Sequence, residues 1–323
     1  MQKHIYITRR IPEAGLKLLQ EKGITYDIGE FKNPPTQKEL IKALKKKPYD
    51  GVINFLTDKI DALVFDACPT AKIFANFAVG FDNIDIEEAK KRNIFVSNTP
   101  GTSAVAVAEH TVALMMALTT RLVEGDTFMR KDKYKGWDPN LLIGTDMKGK
   151  TIGLIGAGQI GTEVAKILHF GFGANVIYSD ITPNPTLEQI TGPTRKETAE
   201  ILREADIVSL HVPLLPTTKH LINKETLATM KKTAFLINTS RGAVIDEKAL
   251  VEALEKDIIR GAALDVYEFE PKVTKGLLKL PDIILTPHIA SSRQSARDKM
   301  AEIAARNIIS VFETGKDINS VLG

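Results

Sequence analysis

The chain has 323 residues, of which 43% are hydrophobic and 26% charged, so it is long enough for two hydrophobic cores and is composed like an ordinary globular protein. Its 43 basic and 40 acidic residues nearly cancel, which argues against a field strong enough to hold nucleic acid. Cys68 is the single cysteine, which excludes an internal disulfide and a cysteine-based metal cage.

The first hundred residues alternate short apolar runs with amphipathic segments. The apolar runs predict strands at 5–8, 51–55, 72–76 and 94–98, and the amphipathic segments predict helices that include 36–47 and 84–92. Strands that alternate with helices in this way are typical of a parallel sheet covered by helices.

A segment without Gly or Pro follows at 102–121 and predicts a helix that links two domains. The alternation then resumes, with predicted strands at 151–155, 175–178, 207–211, 234–238, 262–266 and 283–286 and a final helix at 293–312. We therefore predict an α/β protein with two doubly wound, Rossmann-like parallel-sheet domains. A cleft between them, with compact hinges near residues 100 and 290, is expected.

The N-terminal residues lack the apolar region of a signal peptide. No run reaches the roughly 18 uncharged apolar residues that a membrane span needs. Together with the single cysteine, these features predict a cytoplasmic protein with no membrane partner.

A glycine-rich loop directly follows the strand predicted at 151–155. Its sequence, Gly156-Ala157-Gly158-Gln159-Ile160-Gly161, has the G-x-G-x-x-G spacing of dinucleotide-binding loops and opens a helix. The first glycine permits the tight turn, the second lets the backbone approach a pyrophosphate, and the third allows close packing of helix on strand. A plain strand-to-helix turn is the alternative, but strand, loop, helix and second strand occur here in the required order.

Asp180 ends the next predicted strand, nineteen residues after Gly161. A carboxylate at this place accepts hydrogen bonds from the adenosine ribose hydroxyls and repels a 2′-phosphate, so it favours NAD over NADP. No arginine adjoins Asp180 in the sequence to reverse that preference. The alternative is a surface acid at a strand end.

Three residues suited to acid–base chemistry follow three successive strands. They are Arg241, Glu270 and His288, and the carboxyl ends of parallel strands meet at one edge of a sheet. Reduction of a keto acid needs a proton donor and a cation beside the carboxylate, which histidine and the forked guanidinium supply. Each residue alone has an ordinary structural explanation, whereas their joint occurrence favours a catalytic site.

These segments resemble a known family. The sequences LINTSRG (236–242), GAALDVYEFEP (261–271) and LTPH (285–288) resemble the three signatures of the D-isomer-specific 2-hydroxyacid dehydrogenases, and the resemblance spans the chain. Within that family the chain is similar to glyoxylate and hydroxypyruvate reductases, through ANFAVGFDNID at 75–85.

The resemblance implies a role for each matching residue. Arg241 would bind substrate, His288 would be the acid/base with Glu270 as its partner, and Asp265 would hold the nicotinamide carboxamide. The backbone N–H groups of Val79 and Gly80 would bind the substrate carboxylate from the opposite domain. The matching positions that would line the cofactor cleft are His211, Val212, Pro213, Thr217 and Thr239, together with His288.

The family also implies a domain arrangement. Residues 1–100 with 290–323 would form a flavodoxin-like substrate-binding domain, residues 101–289 would form an inserted NAD-binding Rossmann domain, and two chains would form a homodimer through the cofactor domains. The chain departs from similar reductases at Asp180, where those often carry arginine, so NADPH use is not transferred. The NAD(H) prediction depends on Asp180.

Several alternatives stay open at this stage. The favoured activity is reduction of glyoxylate or hydroxypyruvate with NADH, and a D-lactate or other D-2-hydroxyacid dehydrogenase is the alternative within the family. Formate and phosphite dehydrogenases share the cofactor domain, and an NAD-sensing corepressor is the alternative from another class. The histidines show no metal-ligand spacing, so we expect no catalytic metal.

Some aromatic residues have two interpretations. Phe55, Leu56, Phe77 and Phe81 either form a substrate wall or belong to the core, and we favour the core for Phe77. Trp137 either covers the active site or packs a loop. The physiological keto acid and the reaction direction are not encoded in a readable pattern.

Overall fold

The computed structural model describes residues 2–192 and 194–322. These residues divide into two units, one that ends at Ser103 and includes the segment from Ser292 onward, and one that spans Ala104–Ser291. The functions assigned above to the two domains stay predictions.

The first unit contains a five-stranded sheet in the order β2-β1-β3-β4-β5, with every neighbouring pair parallel. Its elements up to Ser103 are β1 His4–Ile7, α1 Glu13–Glu21, β2 Thr25–Ile28, α2 Gln37–Leu44, β3 Gly51–Phe55, α3 Ala62–Ala67, β4 Ile73–Phe77, α4 Ile86–Lys91 and β5 Phe95–Ser97. The four strands and two helices predicted for this region are confirmed, whereas β2 was not predicted. Three of its four residues are only half-buried, so its apolar pattern is weak.

The second unit contains a seven-stranded parallel sheet in the order β12-β11-β10-β9-β6-β7-β8. The remaining elements are α5 Ala104–Thr119, α6 Leu122–Arg130, β6 Thr151–Ile155, α7 Gln159–Lys166, β7 Asn175–Ser179, α8 Pro185–Thr191, β8 Thr194–Arg195, α9 Thr198–Glu204, β9 Ile207–Leu210, α10 Lys224–Leu227, β10 Phe235–Asn238, α11 Glu247–Glu255, β11 Gly261–Leu264, β12 Ile283–Leu285 and α12 Gln294–Thr314. All six strands predicted here are confirmed. The predicted α/β class is therefore correct for both units.

The central strands of the second unit's sheet are buried on both faces. Strands β9, β10 and β11 are buried along their whole length, as expected for parallel strands covered by helices. Alternate residues face opposite sides of the sheet: Leu236 belongs to the same hydrophobic cluster as Leu250 of α11, whereas Ile237 belongs to the cluster that contains Met115 of α5 and Val164 of α7. Helices on both faces thus fix the position of the carboxyl ends of these strands.

The C-terminal helix α12 belongs to the first unit, where it packs closely on α1. A Cβ atom at Gly15 of α1 would lie 2.5 Å from the carbonyl oxygen of Ala301, so only glycine permits this approach. Local capping sets other helix starts, as in α2, where the Thr36 hydroxyl accepts from the Glu39 N–H and the Glu39 carboxylate accepts from the Thr36 N–H at 2.8 Å.

The helix predicted at 102–121 is confirmed as α5, Ala104–Thr119, and a second helix that was not predicted, α6, follows at Leu122–Arg130. The break lies at Arg121, which has a left-handed φ of 56°. Across the described parts of the chain, no helix by itself is long and apolar enough to cross a membrane, and α5 with α6 meets that criterion only as a pair bent by 61°.

Candidate active site

The candidate residues of the second unit lie at one edge of its sheet. Strands β6, β9, β10, β11 and β12 are neighbours in the sheet and parallel, so their carboxyl ends face the same way. Gly156, His211, Arg241 and His288 each follow one of these strands within a few residues. The strand order reverses at β6, which has β7 on one side and β9 on the other, and such a switch point is where open α/β sheets bind ligands.

The glycine loop has the geometry its spacing predicts. Gly156 has φ +99°, and a Cβ there would lie 2.6 Å from the backbone of His211, so the loop and the β9 edge touch through backbone alone. A Cβ at Gly161 would lie 2.3 Å from the Gly156 carbonyl oxygen. A Cβ at Gly158 would meet nothing within 4 Å, so this residue faces open space where α7 begins. Gln159 and Ile160 form the first turn of α7, whose N–H groups have no helical acceptors.

Asp180 follows β7 and is tied to the glycine loop. Its Oδ2 accepts a hydrogen bond from the Ala157 N–H at 2.6 Å, and its Oδ1 accepts only a long one, at 3.4 Å, from the Thr182 N–H. One carboxylate oxygen thus orders the loop while the other is available to a ribose hydroxyl. This arrangement suits the adenosine end of a dinucleotide.

The expectation that no arginine adjoins Asp180 is wrong in three dimensions. Arg195 donates from its guanidinium to the Asp180 carbonyl oxygen at 2.8 Å and to the Ile181 carbonyl oxygen at 3.2 Å. Its strand β8 pairs with β7, which brings a residue fifteen positions away beside the strand end. A pairing of only two residues leaves no periodic signal in the sequence, so this neighbour was missed.

His288 and Glu270 form the predicted pair. Nδ1 of His288 lies 3.0 Å from Oε2 of Glu270, and because a carboxylate only accepts, Nδ1 carries the hydrogen. The other carboxylate oxygen accepts from the Tyr267 N–H at 3.0 Å, so Glu270 is held on both sides. The arrangement leaves Nε2 of His288 as the nitrogen that can exchange a proton with a ligand.

Asp265 fixes the loop that carries His288. Its side chain is fully buried and accepts from the Thr286 hydroxyl at 2.6 Å, from the Ile289 N–H at 2.9 Å and from the Ala290 N–H at 2.8 Å. Its carbonyl oxygen accepts from the His288 N–H at 2.8 Å. Burial raises the pKa of Asp265, but the hydrogen bonds from its neighbours outweigh burial and the pKa lies below its ordinary value.

A residue that the sequence did not suggest completes this cluster. His110 of α5 lies with Nε2 at 3.3 Å from the Thr286 hydroxyl oxygen and 3.6 Å from a carboxylate oxygen of Asp265. It is one of the factors that lower the pKa of Asp265. His110 lies in the apolar helix α5, and nothing in the sequence around it indicates that it faces the predicted site.

Arg241 follows β10, and the glycine after it explains its placement. A Cβ at Gly242 would lie 1.8 Å from the carbonyl carbon of Tyr267, so the chain after β10 packs directly on the segment that leads to Glu270. The Tyr267 side chain is held in place because its hydroxyl donates to the Thr286 carbonyl oxygen at 2.9 Å. Burial, followed by the charge of Asp265, raises the pKa of Tyr267 to about 12, so the hydroxyl keeps its proton. Nη1 of Arg241 donates to the Ser240 carbonyl oxygen at 2.8 Å.

The other predicted cofactor contacts differ in accessibility. Burial of the His211 ring lowers its pKa to about 4, so this histidine is neutral near pH 7. Thr239 is buried and its hydroxyl is shared with Thr111 at 2.8 Å, whereas Thr217 is exposed. Val212 and Pro213 continue the loop after β9 beside the glycine loop.

The predicted substrate-carboxylate residues, Val79 and Gly80, lie in the first unit just after β4. Val79 is 40% exposed and Phe81 39%, whereas Phe77 is buried in the core, as expected. Within residues 2–192 and 194–322, no group of three or more His, Cys, Asp or Glu side chains has the arrangement of a metal site.

Together the doubly wound sheet, the open glycine loop, the strand-end acid and the histidine–carboxylate pair define a dinucleotide-dependent oxidoreductase. Comparison with known proteins agrees. The model of the "D-isomer specific 2-hydroxyacid dehydrogenase, NAD binding domain" matches residues 112–290. The glyoxylate reductase of Thermofilum pendens is 48% identical over 314 residues, which cover 96% of this chain and 91% of that protein.

Solved structures agree as well. A protein from Thermus thermophilus is similar with a TM-score of 0.91 and 40% identity, covering 98% of this chain and 99% of the other. An NADPH-dependent glyoxylate/hydroxypyruvate reductase from Sinorhizobium meliloti, solved with NADP and malonate, has a TM-score of 0.85 and 30% identity, covering 99% and 97%.

The chain therefore belongs to the D-isomer-specific 2-hydroxyacid dehydrogenase family. It is an oxidoreductase that acts on the CH–OH group of hydroxy acids, binds a nicotinamide cofactor and takes a small keto or hydroxy acid as substrate. The corepressor alternative is not needed to explain any of these features.

Proposed function

We propose that this protein reduces glyoxylate or hydroxypyruvate with NADH and that His288 supplies the proton. The observation that carries the proposal is the His288–Glu270 pair at the edge of the sheet that also presents the glycine loop. The similar proteins from Thermofilum pendens and Thermococcus litoralis are glyoxylate reductases, which supports the choice of substrate.

The residues of the second unit fit a dinucleotide. Gly158 leaves room for a pyrophosphate at the start of α7, and the free oxygen of Asp180 suits a ribose hydroxyl. When bound, the nicotinamide supplies the hydride that reaches the carbonyl carbon. The remaining chemistry belongs to the side chains.

His288 and Arg241 divide that chemistry. Nε2 of the protonated His288 gives its proton to the carbonyl oxygen, and Glu270 keeps the ring oriented through Nδ1 and stabilises its positive charge. The Arg241 guanidinium pairs with the substrate carboxylate and polarises the carbonyl. The backbone N–H groups of Val79 and Gly80 provide further donors to the carboxylate.

NADH is preferred over NADPH because the Asp180 carboxylate repels a 2′-phosphate. Arg195 acts in the opposite sense, since its cation lies at the same strand end, but its donors already bind two carbonyl oxygens. We therefore expect measurable NADPH activity that is weaker than NADH activity. The similar Sinorhizobium meliloti protein is NADPH-dependent, so the preference between NADH and NADPH has to be measured for this chain.

We also propose that two copies associate through α6 and the segment after it. Large apolar side chains there are solvent-exposed in the single chain, which is unfavourable unless another surface covers them. They are Leu122, Val123, Met129, Tyr134, Trp137, Leu141 and Ile143. Trp137 is 83% exposed, so it does not pack a loop of its own chain. Analytical ultracentrifugation tests this proposal. The wild-type protein should sediment as a dimer, and a variant in which Trp137 and Leu122 are both changed to glutamate should sediment as a monomer.

The experiment that tests the activity is a set of initial rates, followed by loss of NADH absorbance, with glyoxylate, hydroxypyruvate, pyruvate and phenylpyruvate. Formate and phosphite are assayed in the oxidising direction with NAD. A dominant NADH-dependent rate on glyoxylate or hydroxypyruvate supports the proposal. A dominant rate on pyruvate, formate or phosphite contradicts it and names the correct substrate class.

A further inference from the structure

The loop that follows β4 presents an unusual set of backbone groups. Within the described residues, the N–H groups of Val79, Gly80 and Phe81 donate no hydrogen bond to another residue. Unpaired N–H groups are costly to bury, but Val79 and Phe81 are partly exposed. Three successive free donors at a strand end form a favourable position for an anion.

The three carbonyl groups of the same peptide units are all occupied. Their donors are the Thr99 N–H, 2.9 Å from the Ala78 oxygen; Nδ2 of Asn98, 2.6 Å from the Val79 oxygen; and Nδ2 of Asn76, 2.8 Å from the Gly80 oxygen. These peptide bonds are trans, so each N–H points away from the carbonyl of its own unit. Holding the carbonyls therefore fixes the direction of the N–H groups.

Both asparagines are themselves held in place. Asn76 is fully buried, and its Oδ1 accepts from Nδ2 of Asn54 at 2.8 Å while its Nδ2 also reaches Oδ1 of Asn83 at 3.1 Å. Asn98 is held through its backbone, because its carbonyl oxygen accepts from Nδ2 of the buried Asn307 at 2.9 Å. The Asn76 side chain is thus fixed by its buried partners, and the Asn98 side chain extends from a fixed backbone.

We propose that Asn76 and Asn98 are positioning residues that aim the N–H groups of Val79, Gly80 and Phe81 at the substrate carboxylate. This inference rests on the proposed reduction of a small keto acid. It adds Phe81 as a third donor and assigns to two asparagine side chains a role in substrate affinity rather than in chemistry. Neither asparagine touches the reacting atoms.

Asn98 is the better position for a test, because it is partly exposed, whereas Asn76→Ala would strip a buried cluster of its hydrogen bonds. Asn98→Ala removes the donor to the Val79 carbonyl and should raise KM for glyoxylate by about 3- to 10-fold. Asn98→Asp should raise it further, because a carboxylate repels both that carbonyl and the substrate. In both variants kcat and KM for NADH should stay close to wild type.

A second measurement does not depend on turnover. Oxamate, a keto-acid analogue that is not reduced, is titrated into each protein saturated with NADH. Its affinity should fall in the order wild type, Asn98→Ala, Asn98→Asp, in parallel with KM for glyoxylate. The matched control is Asn33→Ala, which removes an exposed asparagine of the same unit and should leave both constants unchanged.

The outcomes separate this inference from the proposed function. Wild-type affinity for glyoxylate and oxamate in both Asn98 variants overturns the positioning role, as does a loss confined to kcat or to thermal stability. A wild-type protein that reduces neither glyoxylate nor hydroxypyruvate contradicts the proposed function alone, since oxamate binding still reports on the loop. Absence of oxamate binding by the wild type overturns the inference.

Discussion

Replacing Gly158 by alanine should weaken cofactor binding without harming the fold. The added Cβ meets no protein atom within 4 Å, so the free energy of unfolding should change by no more than about 1 kcal/mol, the usual effect of alanine at a helix N-cap. The same methyl group occupies the space that a pyrophosphate needs. Crowding by one methyl costs about 1 to 3 kcal/mol, which corresponds to a loss of roughly 5- to 150-fold in NADH affinity.

The assay is fluorescence titration of NADH together with thermal unfolding of the same samples. Gly171→Ala is the matched control. A Cβ at Gly171 also meets nothing within 4 Å, but Gly171 ends the helical turn that continues α7 and so lies far from the glycine loop along the helix. Gly156→Ala should unfold more easily than either, since its φ is +99° and its Cβ would lie 2.6 Å from the His211 backbone. Unchanged NADH affinity in Gly158→Ala would refute the assignment of this loop to the pyrophosphate.

Other predictions follow from the same site. His288→Ala should lower kcat by about 10²- to 10⁴-fold and Glu270→Gln should lower it by less, whereas both variants should retain NADH affinity. A normal kcat in His288→Ala would show that His288 does not transfer the proton. Asp180→Ala should weaken NADH and improve NADPH, and Arg195→Gln should weaken NADPH alone, as ratios of kcat/KM will show. Burial lowers the pKa of His211 to about 4, so as pH falls the unfolded chain binds a proton at this residue before the folded chain does. The contribution of His211 to the free energy of unfolding therefore falls by about 2 kcal/mol between pH 7.5 and pH 5. Denaturant titrations should show a smaller drop in His211→Gln.

Much of the fold could be predicted because both sheets are parallel and buried. Runs such as Thr151–Ile155 and Phe235–Asn238 are mainly apolar, with one polar residue each at an end, since helices cover both faces of their sheet. The half-buried strand Thr25–Ile28 lacks such a run, and the helix Leu122–Arg130, which was not predicted either, has no buried residue. Prediction therefore failed where burial was partial or absent.

The site was predictable to the extent that its residues follow strands. His288 and Glu270 were found because strand ends are easy to locate in a parallel sheet, and the structure brings the two together. Arg195 and His110 were not found, because their positions depend on a two-residue strand pairing and on the rotation of α5 about its axis. Contacts that cross between elements in this way leave no pattern along the chain.

The structural role of Asp265 is compatible with the cofactor role proposed for it. His288 has a left-handed φ of 54°, a conformation that costs a non-glycine residue on the order of 1 to 3 kcal/mol. Hydrogen bonds to a charged group contribute about 1.5 to 3 kcal/mol each, so the two that Asp265 accepts from the Ile289 and Ala290 N–H groups are sufficient to hold the His288 loop in place. Its Oδ2 accepts only the Ala290 bond and keeps the capacity for one more donor, such as a carboxamide N–H. If His288 is the acid/base, as proposed, the residue that orients it can also orient the nicotinamide and so keep proton donor and hydride donor in register.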